Sequence, residues 1–379
     1  MKNIAIISEY NLFHNGHKRQ IEQVREQFAD EGCRVISIMS GNYVQRGIPA
    51  AMPKHERARI ALLNGADLVL ELPFPWSSSP AELFARAGVH IAQSLGGIDY
   101  LCFGSESGDS ASLIRTAANL SDPSFIDAVK IAREETSHSG ESYIKTRARV
   151  YESLFHDSFP RTANDILGVE YLRALSEQEK IKPLVIHRRG KESATKTRAY
   201  AAAEDITSLA EITPPETAEA YSRGLSLSPE AFAKLILTRF RLADAAELAA
   251  YADMSFSLAC RMIGAAEKAD SFAGFIERCA TKKYTDASLR RAALACLFGV
   301  MAEHRSMMPT FTNLLAARKE GMHFLSEVRK TKTAAILSKL SQAAGLSEAA
   351  AAQYALSRKA DSIYELISEH RMAEKPCFL

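Results

Sequence analysis

The chain has 379 residues, enough for two or three domains with properly buried cores. Hydrophobic residues make up 47% and charged residues 24%, the balance of an ordinary globular protein and not of a disordered or fibrous one. A formal charge of +2 gives no global attraction to polyanions, so any nucleic-acid surface has to be local. The first apolar run, Ile4-Ala5-Ile6-Ile7, is too short for a signal-peptide core and lacks a small-residue cleavage site. It reads instead as a strand, Asn3–Ile7. Further strands are expected at Arg34–Met39, Asp67–Leu72, Tyr100–Phe103 and Pro183–His187, each a nearly continuous apolar run as in strands covered on both faces. Helical spacing separates them at 17–30, 54–64, 79–95 and 109–119.

Alternating strands and helices predict a parallel α/β sheet of Rossmann-like type, whose ligands sit beyond the carboxyl ends of the strands. Residues 123–165 interrupt the alternation as a helical insertion of two helical pieces and a loop. The run Thr213-Pro214-Pro215-Glu216 marks a helix stop and a boundary. Beyond it the Ala/Leu/Glu/Lys/Arg-rich sequence carries almost no strand signal. The expected organisation is an α/β domain over 1–212 and an all-helical domain over 213–379. No window approaches the roughly 18 apolar residues that span a bilayer. The six cysteines include no C-x-x-C pair and suit neither a zinc site nor a disulfide framework. A reduced, cytoplasmic protein without a structural metal is expected.

Chemistry concentrates where the first strand ends. Ile4–Ile7 runs into Ser8-Glu9-Tyr10-Asn11-Leu12-Phe13-His14-Asn15-Gly16-His17, a polar turn, a glycine and the start of a helix near His17. Helix N-termini attract phosphate through unpaired N–H groups and the dipole. Gly16 allows close backbone approach, and two imidazoles flanking it can donate to phosphate oxygens. A lone histidine here would more often be a loop or capping residue; the pair, the glycine and the strand-to-helix placement favour phosphate handling. A second element, Ser193-Ala194-Thr195-Lys196-Thr197-Arg198, follows the last strand. Its hydroxyls and Arg198 suit a triphosphate, although alone they would equally describe a capped helix with a surface arginine. Three more polar segments close strands: Ser40–Gly47, Glu71-Leu72-Pro73 and Gly104–Asp109.

A strand followed by H-x-G-H, with a later S-x-T-x-x-R, resembles the nucleotidylyltransferase superfamily. The match is closer to the bacterial tRNA(Met) cytidine acetate ligase family. Glu9-Tyr10-Asn11 before Phe13–His17 resembles its E-Y-N-P-F-H-N-G-H, and Ser40–Gly47 its S-G-N-F-x-Q-R-G. Gly65–Pro73 resembles G-A-D-L-V-L-E-L-P, Phe103–Gly108 resembles F-G-S-E-x-G, and Asn164–Gly168 resembles the end of P-N-D-I-L-G. In the C-terminal half, Lys282-Lys283-Tyr284 with Arg290-Arg291 is similar to K-x-Y-x(5)-R-R. Leu12 and Ala163 stand where that family has proline.

The resemblance implies acetylation of the wobble cytidine of elongator tRNA(Met) from acetate and ATP. It implies ATP contacts at Ile7, Ser8, Glu9, Tyr10, Asn11, Phe13, His14, Asn15, Gly16, His17 and Gln20, then at Gly104, Asn164 and Arg188. Residue chemistry adds Ser193 and Thr195 to the nucleotide site and gives His14, His17 and Arg198 the catalytic roles. Mg²⁺ is expected as the companion of ATP, with no dedicated metal cage in the chain. tRNA contacts are expected at Lys282, Lys283, Arg290, Arg291, Arg329 and Lys330, since basic clusters stand out in a nearly neutral chain. Two other functions use the same residues: a small-molecule adenylyltransferase of cofactor biosynthesis, and a non-catalytic RNA-binding protein that kept the fold.

Overall fold

A computed structural model describes residues 1–135, 141–176, 180–188, 194–224, 227–368 and 375–379. The described residues form ten strands: β1 (Lys2–Ser8), β2 (Cys33–Ser40), β3 (Tyr43–Val44), β4 (Ile48–Pro49), β5 (Leu68–Leu72), β6 (Tyr100–Ser105), β7 (Lys182–His187), β8 (Phe311–Ala317), β9 (Ala335–Leu337) and β10 (Cys377–Phe378). The five strands expected from the sequence appear within two residues of their predicted bounds. β5-β2-β1-β6-β7 pair in parallel in that order, and the crossover helices α1 (Asn15–Gln27), α2 (Lys54–Leu63) and α3 (Ala81–Leu95) link the first four. Strand order reverses at β1, so the crevice between the carboxyl ends of β1 and β6 is the topological switch point where such sheets take ligands.

Both faces of this sheet are covered, which explains the unbroken apolar runs. Ala5, Ile7, Ile36, Ile38, Leu68 and Leu70 pack on one side, under α3 and the insertion. Ile4, Ile6, Val35, Met39 and Val69 pack on the other, with Ile21 and Val24 of α1 and Ile60 of α2. The insertion comprises α4 (Ser110–Leu120), α5 (Pro123–Glu135) and α6 (Tyr143–Phe155), followed by α7 (Ala163–Ser176), which returns to the sheet beside α3. After β7 come α8 (Ala194–Ala202), α9 (Ile206–Ile212) and α10 (Pro215–Ser222); Pro214 caps the last of these, so the two prolines do separate helices as expected.

A helical layer then builds its own core from α11 (Pro229–Arg241), α12 (Ala245–Leu248), α13 (Phe256–Lys268), α14 (Phe272–Cys279) and α15 (Asp286–Phe298). Beyond the short α16 (Ala302–Ser306), the chain departs from the expected helical pattern. Phe311–Ala317 crosses back and adds β8 to the edge of the sheet, antiparallel to β5, and β9 and β10 then pair with β8 in parallel. The sequence of β8, Phe-Thr-Asn-Leu-Leu-Ala-Ala, has helix-forming composition; pairing with β5 and burial overrule it, leaving Leu315 and Ala316 fully covered. α17 (Lys319–Glu327) and α18 (Glu348–Ser368) complete the chain.

The two halves share side chains. Tyr43 and Phe74, from loops of the α/β half, lie in the core of the helical layer, with ring centroids 4.9 and 5.0 Å from Phe298. A buried ionic cluster reinforces this. Lys54 Nζ donates to both carboxylate oxygens of Glu71, at 2.8 Å each, and to Asp361 Oδ2 of α18 at 2.7 Å. Asn313 of β8 donates to Glu71, and Asn42 donates to Asp361 while accepting from the Lys54 backbone.

Candidate active site

The end of β1 is held by partners from four directions. Arg57 of α2, fully buried, donates to the carbonyls of Glu9, Ser40, Gly41 and Met52. Ala51 N–H donates to Asn11 Oδ1 (2.8 Å), Arg198 to the Asn11 carbonyl (3.1 Å), and the Thr217 hydroxyl to the Phe13 carbonyl (3.0 Å). The Asn11–Leu12 peptide is cis, and Leu12 is fully buried. Positional rigidity of this kind is what a phosphate site requires.

His14 takes the place usually held by Ser, Thr or Asp, as N-cap of α1. Gly16 N–H donates to His14 Nδ1 (3.1 Å), and His14 N–H donates to His17 Nδ1 (3.2 Å), a reciprocal capping box built from two imidazoles. The rings stack, with centroids 3.7 Å apart and planes 19° from parallel. Because each Nδ1 accepts a backbone hydrogen bond, each neutral ring carries its proton on Nε2, on the far side from the cap. Burial holds His17 well below the ordinary histidine value, and His14 and Arg188 push it further down. The pair therefore offers parallel neutral donors at a helix N-terminus, suited to a phosphate oxygen gaining charge. Gly16 is required here: a Cβ would lie 2.9 Å from His14 Nδ1.

Tyr10 and Phe13 are buried beneath this pair, their ring centroids 4.9 and 5.4 Å from that of His17. They orient the imidazole from below, and Tyr10 is further fixed by a 3.0 Å hydrogen bond with Ser37. Ile7 points into the core, where Gly88 makes room for it, so its contribution at the site is backbone. Asn15 reaches the Glu211 carbonyl (3.4 Å), and Gln20, one turn beyond His17, contacts Cys102 Sγ (3.6 Å).

Across the switch point, Gly104 lies under the Arg188 side chain, where a Cβ would meet Arg188 Cγ at 2.8 Å. Asn164 donates to Glu106, and Asp165 beside it accepts from Ser105 Oγ (2.5 Å) and from the N–H groups of Glu106 (3.1 Å) and Ser107 (3.2 Å). Burial of Asp165 is outweighed by these donors, Ser105 foremost, and its carboxyl sits below the usual range. Three buried polar atoms in these segments have no partner: Asn11 Nδ2, Glu106 Oε2 and Tyr171 OH. Buried polar groups are nearly always satisfied, so such a set marks where a ligand is received.

Glu9 faces the cations of the site. Its Oε1 accepts from Gln45 N–H (2.8 Å); burial raises its carboxyl, while that N–H, Arg198, Arg46 and Arg57 oppose the rise. Arg198 also touches the Thr195 hydroxyl (3.4 Å) from one turn along α8. Ser193 lies outside the described residues.

Residues 1–376 match the HIGH Nucleotidyl Transferase family. A protein of Acetivibrio thermocellus named tRNA(Met) cytidine acetate ligase is 31% identical over 372 residues, spanning 90% of this chain and 89% of that one. One of the same name from Pediococcus pentosaceus is 30% identical over 99% of this chain and 98% of its own. The chain belongs to the tRNA(Met) cytidine acetate ligase family. The crystal structure of Thermotoga maritima TmcAL bound with alpha-thio ATP covers all of both chains with a TM-score of 0.90 at 28% identity, and the apo form superposes with a TM-score of 0.89. As a member of this family the chain is an enzyme, a ligase of nucleotidyl transferase fold.

The six basic residues singled out in the C-terminal half fall in four places. Lys282 and Lys283 are exposed in the loop before α15. Arg291 is turned inward: it donates to the Gln45 carbonyl (3.2 Å), and burial lowers its guanidinium to about 10. Arg290 lies against Gly47, near Arg198. Arg329 and Lys330 follow α17, whose last residue Glu327 pairs with Arg34 at the start of β2, so they occupy the sheet edge opposite the histidines. Among the described residues, no three His, Cys, Asp or Glu side chains converge to hold a metal ion. No described helix is long and apolar enough to cross a membrane.

From sequence, Arg57 stands just beyond the Ser40–Gly47 segment and Glu106 and Asp165 lie within motifs, but none has a role there, and Tyr171 carries no signal. A fully apolar helix face interrupted by Arg57, and the acid inside Asn164-Asp165-Ile166, were the available signals.

Proposed function

We propose that this enzyme joins acetate to the exocyclic N4 amine of the wobble cytidine of elongator tRNA(Met), consuming ATP. The observation that carries the reading is the stacked His14/His17 pair, two neutral Nε2 donors on the N-cap of α1, beside the unsatisfied polar atoms of the β1–β6 crevice. Curated relatives bear the name of this activity, and a structural neighbour holds an ATP analogue.

Acetate is a poor acyl donor because its oxygen leaves badly. Attack of an acetate oxygen on the α-phosphorus of ATP forms a P–O bond to acetyl-adenylate and breaks the bond to the β-phosphate, releasing diphosphate. His14 and His17 donate to the α-phosphate oxygens as charge builds there, and Gly16 lets the backbone approach. Gly104, Asn164 and Arg188, on the far side of the switch point, receive the nucleoside portion. Arg198, with Thr195 and Ser193, holds the departing phosphates. Mg²⁺ accompanies ATP through phosphate ligands, and no step here depends on a protein-held metal. The N4 amine then attacks the acetyl carbonyl; the carbonyl–oxygen bond to AMP breaks, one amine proton is lost, and N4-acetylcytidine and AMP result. An anticodon loop presents that base unpaired, so its display costs little.

In this reading residues 1–212 carry the nucleotide chemistry, and the exposed Lys282 and Lys283 of 213–379 meet tRNA phosphates, whereas Arg329 and Lys330, at the other end of the strands, are not assigned to it. The test is incubation of the purified protein with ATP, Mg²⁺, labelled acetate and bulk tRNA, followed by digestion to nucleosides. Labelled N4-acetylcytidine that vanishes without ATP or in His17→Ala is expected. ATP converted to AMP with no label in that nucleoside would reject the acid or the acceptor. No ATP consumption at all would reject catalysis.

A further inference from the structure

α15 of the helical half approaches the phosphate site closely at the β3–β4 hairpin. Gly47, at the turn of the β3–β4 hairpin, has φ of +73°, and a Cβ there would stand 2.5 Å from Arg291 N and 2.8 Å from Arg290 Cβ. Arg291 locks the junction by donating to the Gln45 carbonyl, while Gln45 N–H holds Glu9. This junction brings Arg46 of the hairpin and Arg290 of α15 to the same side as Arg198 of α8. Their proximity shows in the Arg198 guanidinium. Burial lowers it first; Arg46 then adds repulsion, Glu9 opposes, and Arg290 adds repulsion again. Arg290 has one further anion, Asp286, at 3.7 Å across a largely exposed turn.

Arg198 and Arg46 thus face Glu9, and Arg290, set against the same hairpin at Gly47, crowds Arg198 from a third element. Like charges brought together at partial burial cost free energy unless a multivalent anion joins them. Arginine forks are suited to bridging phosphate oxygens.

We propose that Arg46 and Arg290 join Arg198 in gripping the departing diphosphate, so that acetate activation itself draws a cation from the helical half. The inference rests on the adenylation reading above and assigns Arg290 to the leaving group and not to tRNA. Its consequence is that the first half-reaction requires the helical half docked, before any RNA arrives.

The experiment is acetate-dependent exchange of labelled diphosphate into ATP with no tRNA present. Arg46→Met and Arg290→Met should each lower exchange at limiting diphosphate about 10- to 100-fold, the range for losing a charge-assisted phosphate contact. Arg290→Lys should recover part of that loss, and Arg278→Met, an exposed arginine of α14, should leave exchange unchanged. Inhibition by added diphosphate should weaken in parallel. Circular dichroism melting confirms folding, and the exposed Arg46 provides a variant outside the helical half. Full exchange in both Met variants, with tRNA acetylation alone reduced, would overturn the proposal in favour of an RNA contact. Absence of exchange in the wild type would reject the adenylation reading. Calorimetric binding of inorganic diphosphate then decides the arginine assignment without turnover. Affinity lost in both variants supports it, and equal affinity overturns it.

Discussion

Replacing Lys54 with methionine tests the buried ionic cluster that ties α18 to the sheet. Lys54, Glu71 and Asp361 are each at most 4% exposed, and the ammonium supplies three hydrogen bonds to the two acids. Methionine fills a similar volume, so packing changes little, and the loss is of charge and hydrogen bonds. Glu71 is then left without a cation and Asp361 with Arg358 alone, at 3.8 Å; removing one partner of a buried pair costs about 3–5 kcal/mol. Asn313 and Asn42 still donate to the acids, which places the expected loss toward the lower end, about 3 kcal/mol. The penalty has a pH signature. Glu71 is already raised by burial with Lys54 present, with Asp361 adding to the rise and Lys54 opposing it. Without the ammonium its folded-state value climbs further above the unfolded one. A carboxyl raised in this way destabilises the fold while ionised and relieves it on taking up a proton. The deficit of Lys54→Met should therefore be full at about pH 7 and shrink as pH falls through the raised value, and Lys54→Met/Asp361→Asn should recover part of it at about pH 7. Urea unfolding of wild type and variants at about pH 7 and about pH 5.5 measures this. A deficit under about 1 kcal/mol, or one that is the same at both pH values, refutes the assignment.

Gly16→Ala places a methyl 2.9 Å from His14 Nδ1, and displacing that ring should cost about 100-fold in kcat/KM for ATP, read by exchange, with little change in Tm. Gly47→Ala meets both a φ of +73° and a 2.5 Å approach to Arg291 N; a loss of more than about 1 kcal/mol in urea unfolding is expected, together with slower exchange. His17 is held well below its ordinary value, so exchange should show no His17 ionisation between about pH 6 and 8; a falling acid limb there that disappears in His17→Gln would contradict the neutral-donor role. His55 is pushed down to about 3, first by burial and then by Lys54 and Arg57, so it stays neutral when folded while the unfolded chain takes up a proton near 6.5. Its share of stability is full above that value and lost as pH falls toward about 3; His55→Gln should flatten this slope in urea titrations, and an unchanged slope would refute it.

The catalytic sheet was legible because its strands are covered on both faces: Leu68-Val69-Leu70 is unbroken, and Val35–Met39 is interrupted only by the small Ser37, which Tyr10 satisfies. The histidine motif was legible as a strand-to-helix junction, and the capping reading set against phosphate handling turns out to describe both rings. β8 escaped notice because Leu314-Leu315-Ala316-Ala317 has no strand character of its own; its conformation comes from β5. The partners of Lys54 were equally invisible, with Asp361 separated from it by 307 residues and no local pattern to announce the contact. Arg290 and Arg291 stood out as a basic pair, but only the structure distinguishes the one pinned to the hairpin carbonyl from the one beside Arg198.

The antiparallel pairing of β5 with β8 also bears on how the enzyme is made. The Thr312 hydroxyl bonds to the Glu71 carbonyl across 241 residues of sequence. At ribosomal rates of about 5–20 residues per second, β5 waits roughly 12 to 48 s for its neighbour to emerge. During that interval the nascent chain presents Leu68–Leu72 as a bare strand edge, able to pair with a neighbouring chain on the same messenger. Yield of active enzyme should therefore depend on chaperone supply and on translation speed between these two points, more than on the stability of the finished fold.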